Sequence, residues 1–303
     1  MAIREERVRA NGLEFHVNAC GEGDRLALCL HGFPELGFSW RHQLPALAAL
    51  GYRAWAPDLR GYDETDRPEG PGAYAIEHLV EDVAGLDDAS GAREVVLVAH
   101  DWGAMIAWQF AAHRVRDLDR LVILNGPAPG YRRPSLFSKQ LWRSWYVFFL
   151  QIPRLPEWLI AAGDYRAIEQ TFRGGTCARP ERFPDEVVQV YKDAAARPGA
   201  LTAMIHYYRG ILRGGGMRRM VARGFPVIET PTLLLWGRED PILVPDTLRD
   251  VGDWVADPTV RFIPGAGHWV QQEAPETVNE MLGEWLMDRP VPDAAPAALA
   301  TGR

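Results

Sequence analysis

The sequence predicts an open α/β fold: a doubly wound, mostly parallel sheet with a helical segment inserted into it. Three observations predict it. Short apolar runs of strand length recur, each closing on a turn rich in Gly, Pro or Asp, and they alternate with helical patterns. That rhythm stops from about Pro129 to Phe225, where the chain turns aromatic, arginine-rich and helical. Strand character then resumes for two more runs.

Taken in order, Leu26 to Leu30 reads as a strand feeding the turn His31-Gly32-Phe33-Pro34. Tyr52 to Pro57 is a second strand, closing on Asp58-Leu59-Arg60-Gly61. Glu94 to Ala99 is a third, and Gly103 to His113 continues it as a helix. Leu118 to Leu124 precedes Asn125-Gly126-Pro127. After the insertion come Thr232 to Gly237 and Thr259 to Ile263, then a helix from Pro275 with Val278, Met281, Leu282 and Trp285 on one face. The expected division is a core domain of residues 1–128 and 226–290, a helical cap domain of residues 129–225, and a disordered Pro- and Ala-rich tail, 291–303. Open α/β sheets bind ligands beyond the carboxyl ends of their strands, the edge such an insertion covers.

Composition excludes several classes of function. With 303 residues, 47% hydrophobic and 24% charged, the chain has the make-up of a globular protein. A net charge of −7 with no basic run speaks against nucleic acid. The opening Met1 to Arg7 is charged, without the apolar core of a secretion signal. Nowhere do eighteen apolar residues run together, so no membrane partner is expected. Cys20, Cys29 and Cys177 are an odd, unpatterned set that fits a reducing cytoplasm better than a disulfide framework. His42, His78, His113 and His206 show no ligand spacing, and neither a metal nor another cofactor is implied. A homodimer stays open.

The chemistry is concentrated in Val98-Ala99-His100-Asp101-Trp102-Gly103-Ala104. An apolar strand runs into a polar residue flanked by small ones, and a helix follows at once: the setting of a nucleophile elbow. The polar residue is Asp101. A carboxylate attacking an ester would form an anhydride, whereas at a saturated carbon bearing a leaving group it forms a stable alkyl ester. Epoxides and alkyl halides offer such carbons. The order nucleophile, acid, histidine is completed by Asp240 in Trp236-Gly237-Arg238-Glu239-Asp240 and His268 in Gly265-Ala266-Gly267-His268-Trp269, each just after a predicted strand. Glu239 and Asp246 compete with Asp240 for the orienting role. Phe33 and Trp102 are placed to offer backbone N–H groups to an oxyanion. His31 reads as a turn-stabilising residue, and His100 as a packing residue beside the elbow.

Together these motifs resemble the α/β-hydrolase fold family, in its soluble epoxide hydrolase branch, over nearly the whole chain from about Asn11 to Trp285. The resemblance implies conversion of small apolar epoxides and water to vicinal diols through an ester on Asp101. It also implies two cap tyrosines that hold the epoxide oxygen: Tyr146 within Ser144 to Gln151, and Tyr208 ahead of Arg209, with Tyr207 its rival. Trp145, Phe149 and Trp269 are expected in an apolar substrate pocket. Haloalkane or haloacid dehalogenases use the same Asp–His–Asp triad and are the alternative. Their haloacetate members tend to carry Arg after the nucleophile and Trp in place of the first tyrosine, where this chain has Trp102 and Tyr146. One departure from the family is Asp63, where relatives commonly show Gly.

Overall fold

The computed structural model describes residues 1–128, 139–213 and 215–294. Eight strands form one sheet: β1 (Arg4–Ala10), β2 (Leu13–Cys20), β3 (Arg25–Leu30), β4 (Arg53–Pro57), β5 (Glu94–His100), β6 (Arg120–Leu124), β7 (Thr232–Gly237) and β8 (Pro258–Ile263). Their spatial order is β1-β2-β4-β3-β5-β6-β7-β8. From β4 to β8 every neighbouring pair is parallel, and β2 is antiparallel to both β1 and β4. The six expected strands lie within two residues of the observed starts of β3 to β8.

Neither β1 nor β2 is among the expected strands. β1 alternates exposed and half-buried residues along Arg4-Glu5-Glu6-Arg7, a charged pattern that suits a sheet edge, where charge discourages pairing with other chains. Asn11 and Gly12, both at positive φ, close the hairpin to β2 with the residue pair a type I′ turn prefers.

The sheet is buried on both faces, and side chains of its parallel strands alternate between two cores. Leu97 and Ala99 of β5 face one core with Leu28 and Leu30 of β3, while Val96 and Val98 face the other with Cys29. Helices α1 (Gln43–Ala49) and, later in the chain, α11 (Pro275–Leu286) cover the second face. Helices α2 (Ile76–Ser90) and α3 (Trp102–Ala112) cover the first.

Between β6 and β7 the described residues hold six α-helices, a short 3-10 turn at Pro180–Arg182 and no strand: α4 (Lys139–Arg143), α5 (Trp145–Phe149), α6 (Leu155–Arg173), α7 (Asp185–Ala196), α8 (Ala200–Leu212) and α9 (Gly216–Arg223). The first residues of the expected cap, 129–138, and most of the expected tail, 295–303, lie outside the described residues. Val291, at the start of that tail, is buried, and its carbonyl accepts two hydrogen bonds from Arg261. Among the described residues no helix is long and apolar enough to cross a membrane.

The strand-to-helix turn after β5 tolerates almost no side chain. A Cβ on Gly103 would lie 2.3 Å from the Leu30 carbonyl oxygen, and one on Gly126 would lie 2.3 Å from the Ala104 Cβ. Because the atom opposing Gly103 is backbone, Gly103→Ala is expected to lower unfolding free energy by about 1–3 kcal/mol, measured by urea denaturation. A variant as stable as wild type would contradict this account of the turn.

Candidate active site

Asp101 leaves the carboxyl end of β5 at φ 50° and ψ −114°, a sparsely populated conformation for a non-glycine residue. Its surroundings hold it there. The Gly103 N–H donates to the His31 carbonyl at 3.0 Å, and a Cβ on Gly32 would come within 2.5 Å of the Asp101 Cβ. The elbow and the turn after β3 therefore fit together only because both are bare. The Phe33 N–H donates to Asp101 Oδ1 at 2.9 Å. Trp102 opens α3, so its N–H has no acceptor within the helix.

Asp240 follows β7 and His268 follows β8, so three strand ends converge. His268 Nδ1 lies 2.8 Å from Asp240 Oδ2, and its Nε2 lies 3.6 Å from Asp101 Oδ2. The first contact is a hydrogen bond; the second is an ion-pair distance. Asp240 is richly solvated by protein. Its Oδ1 accepts from the Ile242 and Leu243 N–H groups, and its Oδ2 from the Asn125 amide at 2.6 Å. Glu239 instead accepts from the Gly265 N–H at an exposed position, and Asp246 sits on the surface beside Arg249.

Charge decides the protonation states. Burial alone would raise the Asp101 carboxyl, but the facing His268 and the Phe33 N–H hold it below the usual carboxylate range. Asp240 behaves likewise: burial raises it, and His268 with the Leu243 N–H and Asn125 more than reverses that. Burial pulls His268 down, yet the two carboxylates outweigh it and push it up to about 10. At neutral pH the resting site holds an imidazolium between two carboxylates.

Over Asp101 stand the two phenols. Tyr146 of α5 and Tyr208 of α8 meet edge to face, ring centroids 5.9 Å apart. Tyr208 also packs edge-on against Phe33 and Trp102. Burial, with the charge of Asp101, raises both phenols above their ordinary range, so both remain proton-bearing. The pairing of α5 with α8 is fixed by Gln151, which donates to the Tyr208 carbonyl. Arg209 adds bonds to the Leu150 carbonyl and to Glu157. Tyr207 points elsewhere: its hydroxyl donates to the Arg60 carbonyl in the core.

These groups line a cavity of about 690 Å³. Phe33, Trp145, Phe149 and Trp269 give it apolar walls, with Asp101, His268, Tyr146 and Tyr208 facing into it.

Sequence reasoning missed Glu35 and Asn125. Asn125 bridges Asp240 and the Gly237 N–H. Glu35 is fully buried and accepts from the Gly32 N–H, from Gln271 and from Gln272. It lies 2.6 Å from His100 Nδ1, and His100 Nε2 lies 2.9 Å from the His268 carbonyl. A carbonyl only accepts, so Nε2 carries a proton and one further proton lies between His100 and Glu35. His100 thus does more than pack, whereas His31 holds the turn as expected, bonded to the Gly32 carbonyl and the Leu59 N–H. The one signal for Glu35 and Asn125 is that each adjoins a turn at a strand's carboxyl end.

His16, Asp58 and Asp63 also gather within 4.8 Å of one another. Their atoms are taken up by each other, by the Gly37 N–H and by Arg197.

An acid, a histidine and an elbow carboxylate at adjoining strand ends of a doubly wound sheet define the α/β-hydrolase class. The chain belongs to the alpha/beta hydrolase fold family, whose model matches residues 28–275, and to its epoxide hydrolase branch. It is 34% identical to epoxide hydrolase 4 of Mus musculus over 294 residues, 93% of this chain and 79% of that protein. Identity is also 34% to the AB hydrolase superfamily protein YfhM of Bacillus subtilis, over 95% of this chain and 99% of that one. Among solved structures, a Bacillus megaterium epoxide hydrolase superposes with a TM-score of 0.82 at 28% identity, covering 93% of this chain and 100% of that chain.

Removing the charge at position 101 withdraws one of the two carboxylates that raise His268. Asp101→Asn is expected to lower the His268 pKa from about 10, read by NMR titration of the imidazole. An unchanged titration would refute the coupling.

Proposed function

We propose that this protein is an epoxide hydrolase that opens small apolar epoxides to vicinal diols through an ester on Asp101. The observation that carries the proposal is the placement of two proton-bearing phenols opposite a half-buried elbow carboxylate, across an apolar cavity. A halide leaving group needs no proton donor; a ring oxygen does. The segment 129–225 serves as the cap that carries both phenols. The partners are an epoxide and water, and the three unpaired cysteines support a cytoplasmic setting.

The geometry supports one order of events. Tyr146 and Tyr208 donate to the ring oxygen. Asp101 Oδ1 is already held by the Phe33 N–H, so Oδ2 attacks the ring carbon and the C–O bond breaks toward the phenols. Asp101 loses its charge on becoming an ester, and His268 loses one of the two partners that kept it protonated. The proton that His268 sheds balances the one the ring oxygen takes up. Neutral imidazole, oriented by Asp240, then takes a proton from water, which attacks the ester carbonyl. The oxyanion forms on Oδ1, facing the Phe33 and Trp102 amides. Its collapse breaks the bond from the ester carbon to Oδ2, which leaves as the second hydroxyl of the diol with the proton that remained on the water-derived oxygen, so the carboxylate is restored and His268 is again an imidazolium.

Two variants test this. His268→Gln is expected to form the ester and fail to hydrolyse it, so intact-mass spectrometry under saturating styrene oxide finds the chain heavier by one substrate. Unmodified chain throughout would point to direct attack by water. Tyr146→Phe combined with Tyr208→Phe is expected to slow epoxide opening by about 10²-fold or more, the scale of losing a donor to a developing oxyanion, while halide release from a haloalkane hardly changes. Equal losses in the two assays would remove the donor role.

A further inference from the structure

The helical insertion exposes apolar side chains that its own packing does not use. Trp142, Trp145, Phe148 and Trp158 are each more than 60% exposed, and Ile152, Leu155 and Leu159 are also exposed. All seven fall within residues 139–160. That stretch forms the rim of the catalytic cavity, since Trp142, Trp145 and Ile160 line it. An apolar patch of this kind on a soluble chain marks a contact surface, and Trp and Phe are the residues that settle at the boundary of water and lipid.

Charge identifies the partner. The chain as a whole is acidic, yet residues 129–225 hold sixteen Lys and Arg against seven Asp and Glu. Within 139–160 the one acid, Glu157, is neutralised by Arg209. Arg154 is exposed beside the patch. So is Arg213, whose guanidinium bonds the Gln151 carbonyl, and neither Arg154 nor Arg213 has a carboxylate partner among the described residues. Exposed aromatics interleaved with unpaired arginines match an anionic bilayer, which supplies apolar chains beneath a negative surface.

We infer that the exposed face of residues 139–160, with Arg154 and Arg213, docks the protein on anionic lipid bilayers with the cavity mouth toward the membrane. The expectation of no membrane partner rested on the lack of a span, which lying on a surface does not require. Docking itself does not depend on epoxide turnover; the benefit of drawing apolar epoxides from the bilayer does.

The test is co-sedimentation of the full chain with vesicles of phosphatidylglycerol or of phosphatidylcholine, with tryptophan emission recorded alongside. Binding to phosphatidylglycerol with a blue shift is expected, and weaker binding to phosphatidylcholine. Phe148→Ser combined with Trp158→Ser, neither residue lining the cavity, is expected to weaken vesicle binding by about tenfold or more while hydrolysing a water-soluble epoxide at the wild-type rate. Arg154→Glu is expected to erase the preference for phosphatidylglycerol. Thermal melts verify folding, so the vesicle result stands even if no epoxide is turned over. Failure of the wild type to bind phosphatidylglycerol, or undiminished binding by the double variant, overturns the inference. So does self-association that the double variant abolishes without any vesicle binding, because a second copy would then be what covers this face.

Discussion

The attraction between His268 and its two carboxylates is the interaction on which the rest of the site depends. Three ionisable groups, largely withdrawn from water, are stable together because each charge has a partner of opposite sign. Asp240 has four donors from three segments of chain. Asp101 has one, the Phe33 N–H, beside its ion-pair contact with the imidazolium. The poorer solvation of Asp101 suits the nucleophile role proposed for it. In the proposed cycle Asp240, with its four donors, would keep its charge and so keep the imidazole oriented in both protonation states. Two residues of one chemical type thus take different roles by the number of donors around them.

A second polar layer lies directly beneath. Glu35, His100, Gln271 and Gln272 tie the turn after β3, the end of β5 and the short helix α10 (Val270–Glu273) into one buried network. Through the Gly32 N–H it fixes the turn that presents Phe33, and through His100 it fixes the His268 carbonyl. Neither contact touches the cavity. Together they hold the Phe33 N–H and His268, the proposed oxyanion donor and base, at set positions relative to the elbow, which would leave little reorganisation for the proposed reaction.

Much of this was legible in the sequence because it depends on local pattern. Buried parallel strands show as apolar runs, and the elbow shows as small residues around a polar one. Asp101, Asp240 and His268 each sit where a run ends. What local pattern does not carry was missed. β1 presents charges on a sheet edge, so its alternation holds few apolar residues. Glu35 and Asn125 are single polar residues whose worth comes from partners far along the chain: Gln271 and Gln272 for one, Asp240 for the other. The choice between Tyr207 and Tyr208 is of the same kind. Successive residues on a helix point about 100° apart, and only the packing of α8 against both the cavity and Arg60 decides which hydroxyl faces Asp101.

The seam between sheet and insertion shows why such packing holds. Its surface is a set of exposed pairs, Arg182 with Glu276, Arg197 with Asp63 and Glu64, Arg219 with Glu77, and exposed pairs contribute little each. Asp63, the residue that stands where relatives commonly carry Gly, belongs to this set at φ 40°, so its side chain binds the insertion at a position a glycine would leave bare. Firmer attachment comes from buried polar contacts: the Tyr207 hydroxyl on the Arg60 carbonyl, and Glu273 on the N–H groups of Ala178 and Arg179. Both anchors adjoin the cavity, since Tyr207 precedes Tyr208 and Glu273 also accepts from the N–H groups flanking His268, those of Gly267 and Trp269. The insertion is therefore held most tightly where its position sets the distance between phenol and carboxylate. It is left least covered on the outer side of residues 139–160, whose inner side carries Tyr146 and is tied to the loop after β7 through Gln140.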